Sequence, residues 1–241
     1  KLGRETYYKS KFYQPLDKNN YFFTELKYLY YSESNDEFMG LTDQPCKQGV
    51  FSLMAKQLIR CATLRDALSW GANFYHLTRN DISFEFHENK HEAILTFKLT
   101  KPELDEDHFL VEFFLLVWHR FASWLVRQKI PLKYANFAYS SPSHVPEYSL
   151  LFPCHCRFNQ ARNSIAIDKS FLDMAVQQRD KELTMFLQNS PEDLLARPVF
   201  YATFSTQVMN VMLRQGECSY HDIESLADYF SISSRHLRRR L

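Results

Sequence analysis

The spacing of apolar side chains changes period once, sharply, and that change limits the fold more than any other feature of the chain. Residues 63–77 (TLRDALSWGANFYHL) place Leu64, Ala67, Leu68, Ala72 and Tyr75 at helical intervals, with Thr63 as N-cap and Asp66 in the capping-box position. Residues 81–99 (DISFEFHENKHEAILTFKL) alternate instead. Ile82, Phe84 and Phe86 share one face, the chain turns at ENKH, and Ala93, Leu95, Phe97 and Leu99 then oppose Ile94, Thr96 and Lys98. A helix running into a hairpin excludes both all-α and all-β architectures.

The remaining elements extend the same pattern. Residues 20–31 and 47–60 read as helices. Pro102, Glu103, Asp105, Glu106 and Asp107 suit the N-terminus of a long helix, where the dipole favours negative charge. Its apolar run, residues 109–126, carries Glu112, His119 and Arg120, which argue for a buried amphipathic helix rather than a lipid-spanning one. KYANFAY (133–139) alternates as a strand, SPSHVPEYSLLF reads as a turn and short helix, and HCRFNQ and NSIAIDKSFL read as two further strands. A helix over 178–189 precedes SPEDLLARP, the expected linker, and everything after Pro198 reads as helical. The expectation is an α+β domain over residues 1–190, in which helices pack a mostly antiparallel sheet of about five strands. A linker at 191–198 and the start of an all-α helix-turn-helix domain at 199–241 follow.

Composition narrows the function classes. With 241 residues, 45% hydrophobic, 24% charged and a net charge of +1, any nucleic-acid surface must be local rather than global. Gly numbers only 5, and no G-x-G-x-x-G or Walker pattern exists. The chain has no G-x-S-x-G, and neither an enzyme activity nor a cofactor is expected. Five scattered cysteines argue against a disulfide scaffold, no signal-peptide pattern opens the sequence, and a cytoplasmic location is expected.

Three histidine groupings raise the question of metal. In CHC (154–156), a strand would send Cys154 and Cys156 to one side and His155 to the other, poor geometry for a tetrahedral site. His87 and His91 bracket the hairpin turn beside Glu85, Glu88 and Glu92, where a solvated turn competes with a surface metal or a pH-sensitive patch. His108 and His119 lie about three turns apart on the long helix and can share a face. No metal site is expected at any of them.

The tail HDIESLADYFSISSRHLRRRL places Ile223, Leu226, Ala227 and Phe230 on one face of a short helix. Small Ala227 leaves room for a second helix to approach, Ile232 plugs the turn, and Ser233 caps the next helix. Leu237 and Leu241 then point inward, while Arg235, Arg238 and Arg239 share the outer face. Such a face fits a major groove, where arginine pairs bidentately with guanine or contacts phosphate. A helical hairpin with a basic, solvated end fits the same spacing, since cations also complement a helix C-terminus.

That tail resembles the first helix-turn-helix of the AraC/XylS family of bacterial transcription regulators. The family pattern I-x-x-[VL]-A-x-x-x-x-[ILM]-S-x-x-x-L-x-R-x-[LF] falls in register on Ile223, Leu226, Ala227, Ile232, Ser233, Leu237, Arg239 and Leu241. TLRDAL, LLFPCHCRFNQARNSIAIDKSFLDMAV and ELTMFLQNSPEDLLAR resemble the arabinose-binding-type N-terminal domain of one branch of that family. The resemblance implies an effector-sensing or dimerising domain joined to a DNA-binding domain with two helix-turn-helix units. It also implies Ser233, Ser234, Arg235, Arg238 and Arg239 as the DNA-contacting positions, with Arg235 and Arg238 at base edges and Arg239 at the family's most regular arginine. The chain opens at Lys1 and closes at Leu241, within the first unit; read as a fragment, it is expected to bind operator DNA weakly or not at all. The implied partners are double-stranded DNA, a small-molecule effector and a second copy of the chain, with no membrane.

For the effector, pocket chemistry favours apolar walls with a few polar anchors. The residues that fit are Phe74, Tyr75 and His76 at the end of the helix over 63–77, and Phe84, Phe86 and Phe97 on the facing hairpin. Plain core packing competes for each. The other overall reading is a stand-alone ligand-binding or interaction module whose helical tail does not touch DNA.

Overall fold

The computed structural model describes residues 35–142, 145, 148, 151–188, 223, 224, 227 and 234. In chain order these form α1 (Val50–Leu58), α2 (Leu64–Thr78), β1 (Ile82–Glu88), β2 (Glu92–Leu99), a 3-10 turn (Pro102–Leu104) and α3 (Phe109–Leu125). There follow β3 (Leu132–Asn136), helical residues at Val145, Tyr148 and Leu151, β4 (His155–Arg157), β5 (Asn163–Asp168), a second 3-10 turn (Lys169–Asp173) and α4 (Asp180–Gln188). The five strands form one sheet in the order β1-β2-β5-β3-β4. Every pairing is antiparallel except β3 with β4. This is the α+β class expected, with a mostly antiparallel sheet packed by helices.

Local chemistry explains the boundaries. Thr63 and Asp66 form the capping box: Asp66 N–H donates to Thr63 Oγ1 at 3.2 Å, and Thr63 N–H donates to Asp66 Oδ2 at 3.2 Å. At the hairpin turn, Asn89 Oδ1 accepts from the backbone N–H groups of His91 (2.8 Å) and Glu92 (2.9 Å). Helix α1 starts at Gly49, whose φ of 99° only glycine adopts freely and which brings no capping side chain of its own. Glu37 supplies the cap from a distance, accepting from Gly49 N–H at 2.7 Å and Phe51 N–H at 2.9 Å.

Helix α3 begins later than its acidic prelude predicts. Asp105 lies outside the helix, and its carboxylate accepts from Leu110 N–H (3.0 Å) and Val111 N–H (3.1 Å). To bring that side chain over the helix end, the backbone turns through His108 at φ 60°. The acidic residues do serve a helix N-terminus, but through a looped cap after a 3-10 turn rather than as its first turn.

From Phe114 to Leu125 every side chain of α3 is buried, the behaviour of a helix that is apolar all round. Phe114 stacks on Phe97 at 4.0 Å between centroids and meets Phe84 edge-on at 5.1 Å, so α3 seats on the apolar face of the hairpin. His119 lies inside this packing, where Nε2–H donates to Ile130 O at 2.7 Å. Among the described residues no helix is long and apolar enough to cross a membrane.

The segment before α1 is tied down by one buried ion pair. Arg79 holds Asp81 through Nε to Oδ1 (2.9 Å) and Nη2 to Oδ2 (2.6 Å). The same guanidinium reaches Thr42 Oγ1 (3.2 Å), Pro45 O (3.0 Å) and Gln44 O. Asp81 Oδ2 accepts in turn from Gln44 N–H at 3.0 Å.

The chain divides into two compact units, Lys1–Ala196 and Arg197–Leu241. In the second, Ile223, Glu224, Ala227 and Ser234 are helical and Ala227 is buried. The helix expected over 20–31 and most of the tail lie outside the described residues.

Candidate functional site

A cavity of about 530 Å³ opens at the end of the sheet. Its origin is a mismatch in strand length. The β2–β5 ladder closes at Phe97 opposite Asn163, yet β2 continues through Lys98 and Leu99. The chain on either side of that gap, Ala138–Tyr139 after β3 and Ala161–Arg162 before β5, forms the rim with Pro102, Asp105 and His108. Ala138 N–H donates to Asn163 Oδ1 at 2.7 Å and holds two of these segments together. The volume falls in the range of small-molecule sites.

The walls divide by chemistry. Phe97, Leu99 and Val111 come from the buried core and give the cavity an apolar floor. Ser83, Glu85, Thr96 and Lys98 come from the opposite sheet face and, with Asn163 and Arg162, make it polar on the other side. Glu85 is already engaged: Ser83 Oγ donates to it at 3.0 Å and His87 Nε2 lies 2.9 Å away. The His87 hydrogen bond is the main reason its carboxyl sits below the usual range, followed by that of Ser83.

Asp105 is almost wholly buried, and burial raises its carboxyl to about 6 against the opposing pull of the Leu110 and Val111 amides. Burial lowers His108, leaving a neutral imidazole at neutral pH. That ring lies on the ring of Tyr139. The Tyr139 hydroxyl donates to Glu112 Oε1 at 2.7 Å, and the Tyr148 hydroxyl donates to the same oxygen. Burial first, and the Glu112 charge second, keep the Tyr139 phenol protonated far above its usual range.

The sequence-derived ligand residues divide between this cavity and the core. Phe97 lines it. Tyr75 and Phe84 pack beneath, Tyr75 against Phe114 at 5.4 Å and Phe84 against Trp118 at 4.5 Å. Phe74 stacks on Trp70 at 5.6 Å, Phe86 is half-buried, and His76 is exposed. Lys98, Tyr139 and Arg162 were not legible as neighbours: they lie on separate segments, and nothing local distinguishes them. In CHC, Cys154 and Cys156 are half-buried and His155 is exposed. Among the described residues no group of three His, Cys, Asp or Glu side chains could hold a metal ion. Of the positions expected to contact DNA, Ser234 is helical and half-buried, while Ser233, Arg235, Arg238 and Arg239 lie outside the described residues.

The family model for the arabinose-binding domain of AraC transcription regulators, N-terminal, matches residues 24–176, which span all five strands. The chain belongs to this AraC family. The family is one of transcription regulators, not of enzymes. None of the curated proteins matches this AraC-family chain. Among solved structures it is similar to the transcriptional regulator CdpR from Pseudomonas aeruginosa, at 14% identity and a TM-score of 0.44 over 98% of this chain and 76% of that one. A likeness at that level assigns no role to any residue.

Proposed function

We propose that this AraC-family chain senses a small-molecule effector in its sheet-end cavity and belongs to a bacterial, cytoplasmic, DNA-binding regulator of transcription. The family match across residues 24–176 carries this reading. The cavity between the hairpin and the start of α3 supports it, being of ligand size and walled by apolar and polar groups together. Effector binding stabilises one arrangement of a two-state equilibrium and thereby changes how the helix-turn-helix units are presented to DNA. Pairing of two copies provides two readers for two half-sites.

At the DNA, Ser233 holds the start of the recognition helix and meets a phosphate. Ser234, Arg235, Arg238 and Arg239 face outward, with Arg235 and Arg238 reading base edges. The test is fluorescence anisotropy of an operator duplex with the protein carrying its complete DNA-binding domain. Arg235→Ala and Arg239→Ala each weaken specific binding by about tenfold or more, as the loss of a base or phosphate contact does. Unchanged operator affinity in both variants overturns the assignment.

A further inference from the structure

The charged groups around the cavity are not equally occupied. Its two acids already have partners: Glu85 is held by Ser83 and His87, and Asp105 is held by the Leu110 and Val111 amides. Its two fixed cations are far less engaged. The Lys98 side chain makes no ion pair or hydrogen bond among the described residues. Arg162 has one loose contact, Nη1 at 4.0 Å from Glu85. The unspent capacity of the polar wall is therefore donor capacity with positive charge, and it borders the same cavity as the apolar floor of Phe97, Leu99 and Val111.

From this asymmetry we propose that the cavity takes a small monocarboxylate with an apolar body, its head group between Lys98 and Arg162 and its body on Phe97, Leu99 and Val111. The proposal deepens, and rests on, the reading of this domain as the effector sensor. A carboxylate accepts from an ammonium and, bidentately, from a guanidinium, so both unspent cations are satisfied by one ligand group. A cationic ligand has no comparable position, because each acid is already engaged, Glu85 by Ser83 and His87 and Asp105 by the Leu110 and Val111 amides. Neutral apolar ligands leave both cations unused. The Glu85–Arg162 contact is the competing interaction, and the ligand displaces it.

Calorimetry and thermal unfolding of the whole chain with 4-phenylbutyrate, its neutral isostere 4-phenylbutyramide, and acetate test the proposal. The expected result is binding of 4-phenylbutyrate, with the amide and acetate each weaker by about tenfold or more. Salt weakens the acid and leaves the amide unaffected. Lys98→Met and Arg162→Met each weaken the acid by about tenfold and do not weaken the amide. Both side chains are exposed, so the unliganded melting temperature of each variant stays near that of the parent; Lys98→Gln and Arg162→Gln repeat the test should a methionine perturb folding. Glu85→Gln removes the competitor and tightens the acid. Equal affinity for acid and amide, undiminished binding in the Lys98 and Arg162 variants, or no binding by any acid from acetate to 4-phenylbutyrate overturns the proposal. None of these readouts involves DNA. Failure here with operator binding intact removes the ligand class alone, whereas unchanged operator affinity in the Arg235 and Arg239 variants removes the DNA-contact assignment and leaves the ligand class standing.

Discussion

The imidazole of His108 lies flat on the phenol ring of Tyr139, with ring centroids 3.8 Å apart and planes 11° from parallel. His108 holds a left-handed backbone so that Asp105 can reach the start of α3, and Tyr139 hydrogen-bonds Glu112 one turn further along. The stack therefore joins the cavity rim to the first two turns of the longest described helix.

Removing the Tyr139 hydroxyl separates the two parts of this joint. Tyr139→Phe keeps the stack and leaves Glu112 with the Tyr148 hydroxyl; it costs about 1–2 kcal/mol in urea denaturation. Tyr139→Ala loses the stack as well, and the cost rises to about 3 kcal/mol. Equal stability of the two variants would show that the ring contributes nothing.

Gly71 sits in mid-helix, where alanine ordinarily adds about 1 kcal/mol of stability. A Cβ there, however, would run into the six-membered ring of Trp118, which is fully buried. Overpacking of this kind costs about 1–3 kcal/mol and here exceeds the helix-propensity gain. Gly71→Ala is thus net destabilising, with an altered Trp118 fluorescence emission.

Breaking the buried Arg79–Asp81 pair by Arg79→Ala leaves a carboxylate with little water and costs about 3–5 kcal/mol. Arg79→Lys recovers only part, since one ammonium cannot span Asp81, Thr42 and Pro45 together. Amide hydrogen exchange at residues 42–44 and at Cys46 accelerates in both variants, more in the alanine one.

Two buried groups give stability a pH dependence of opposite signs. Burial holds His119 near 4, below its ordinary 6.5. As pH falls from 6.5 to 4, the unfolded chain takes up a proton that the folded chain refuses, and stability drops by about 3 kcal/mol. Asp105, raised from 3.8 to about 6, is protonated in the folded chain first, so acidification between 6 and 3.8 returns a similar amount. His119→Gln, which keeps a donor for Ile130, gains stability on going from pH 6.5 to 4.5. Asp105→Asn loses it more steeply than the parent. Urea midpoints at the two pH values measure both.

What the sequence disclosed and what it withheld follow from the range of the forces involved. The Thr63–Asp66 cap and the 82–99 alternation are local patterns, and both elements form where they predict. The parallel partnership of β3 with β4 has no local signature, because it depends on the connection through Tyr148 folding back. Aromatic residues drew attention to Tyr75 and Phe84 as ligand contacts, yet aromatic bulk is also what fills a core, and both pack around Phe114. The cavity is made of what strands leave uncovered when their lengths differ, and register is invisible before the partners are known.

That overhang of β2 beyond β5 has an evolutionary corollary. Ala138, Ala161 and Arg162 bear no part of the ladder beneath them, so exchanges there alter which guest is accepted while Phe97 stays clamped on Phe114. Chemical taste can drift in such a chain without risk to its skeleton.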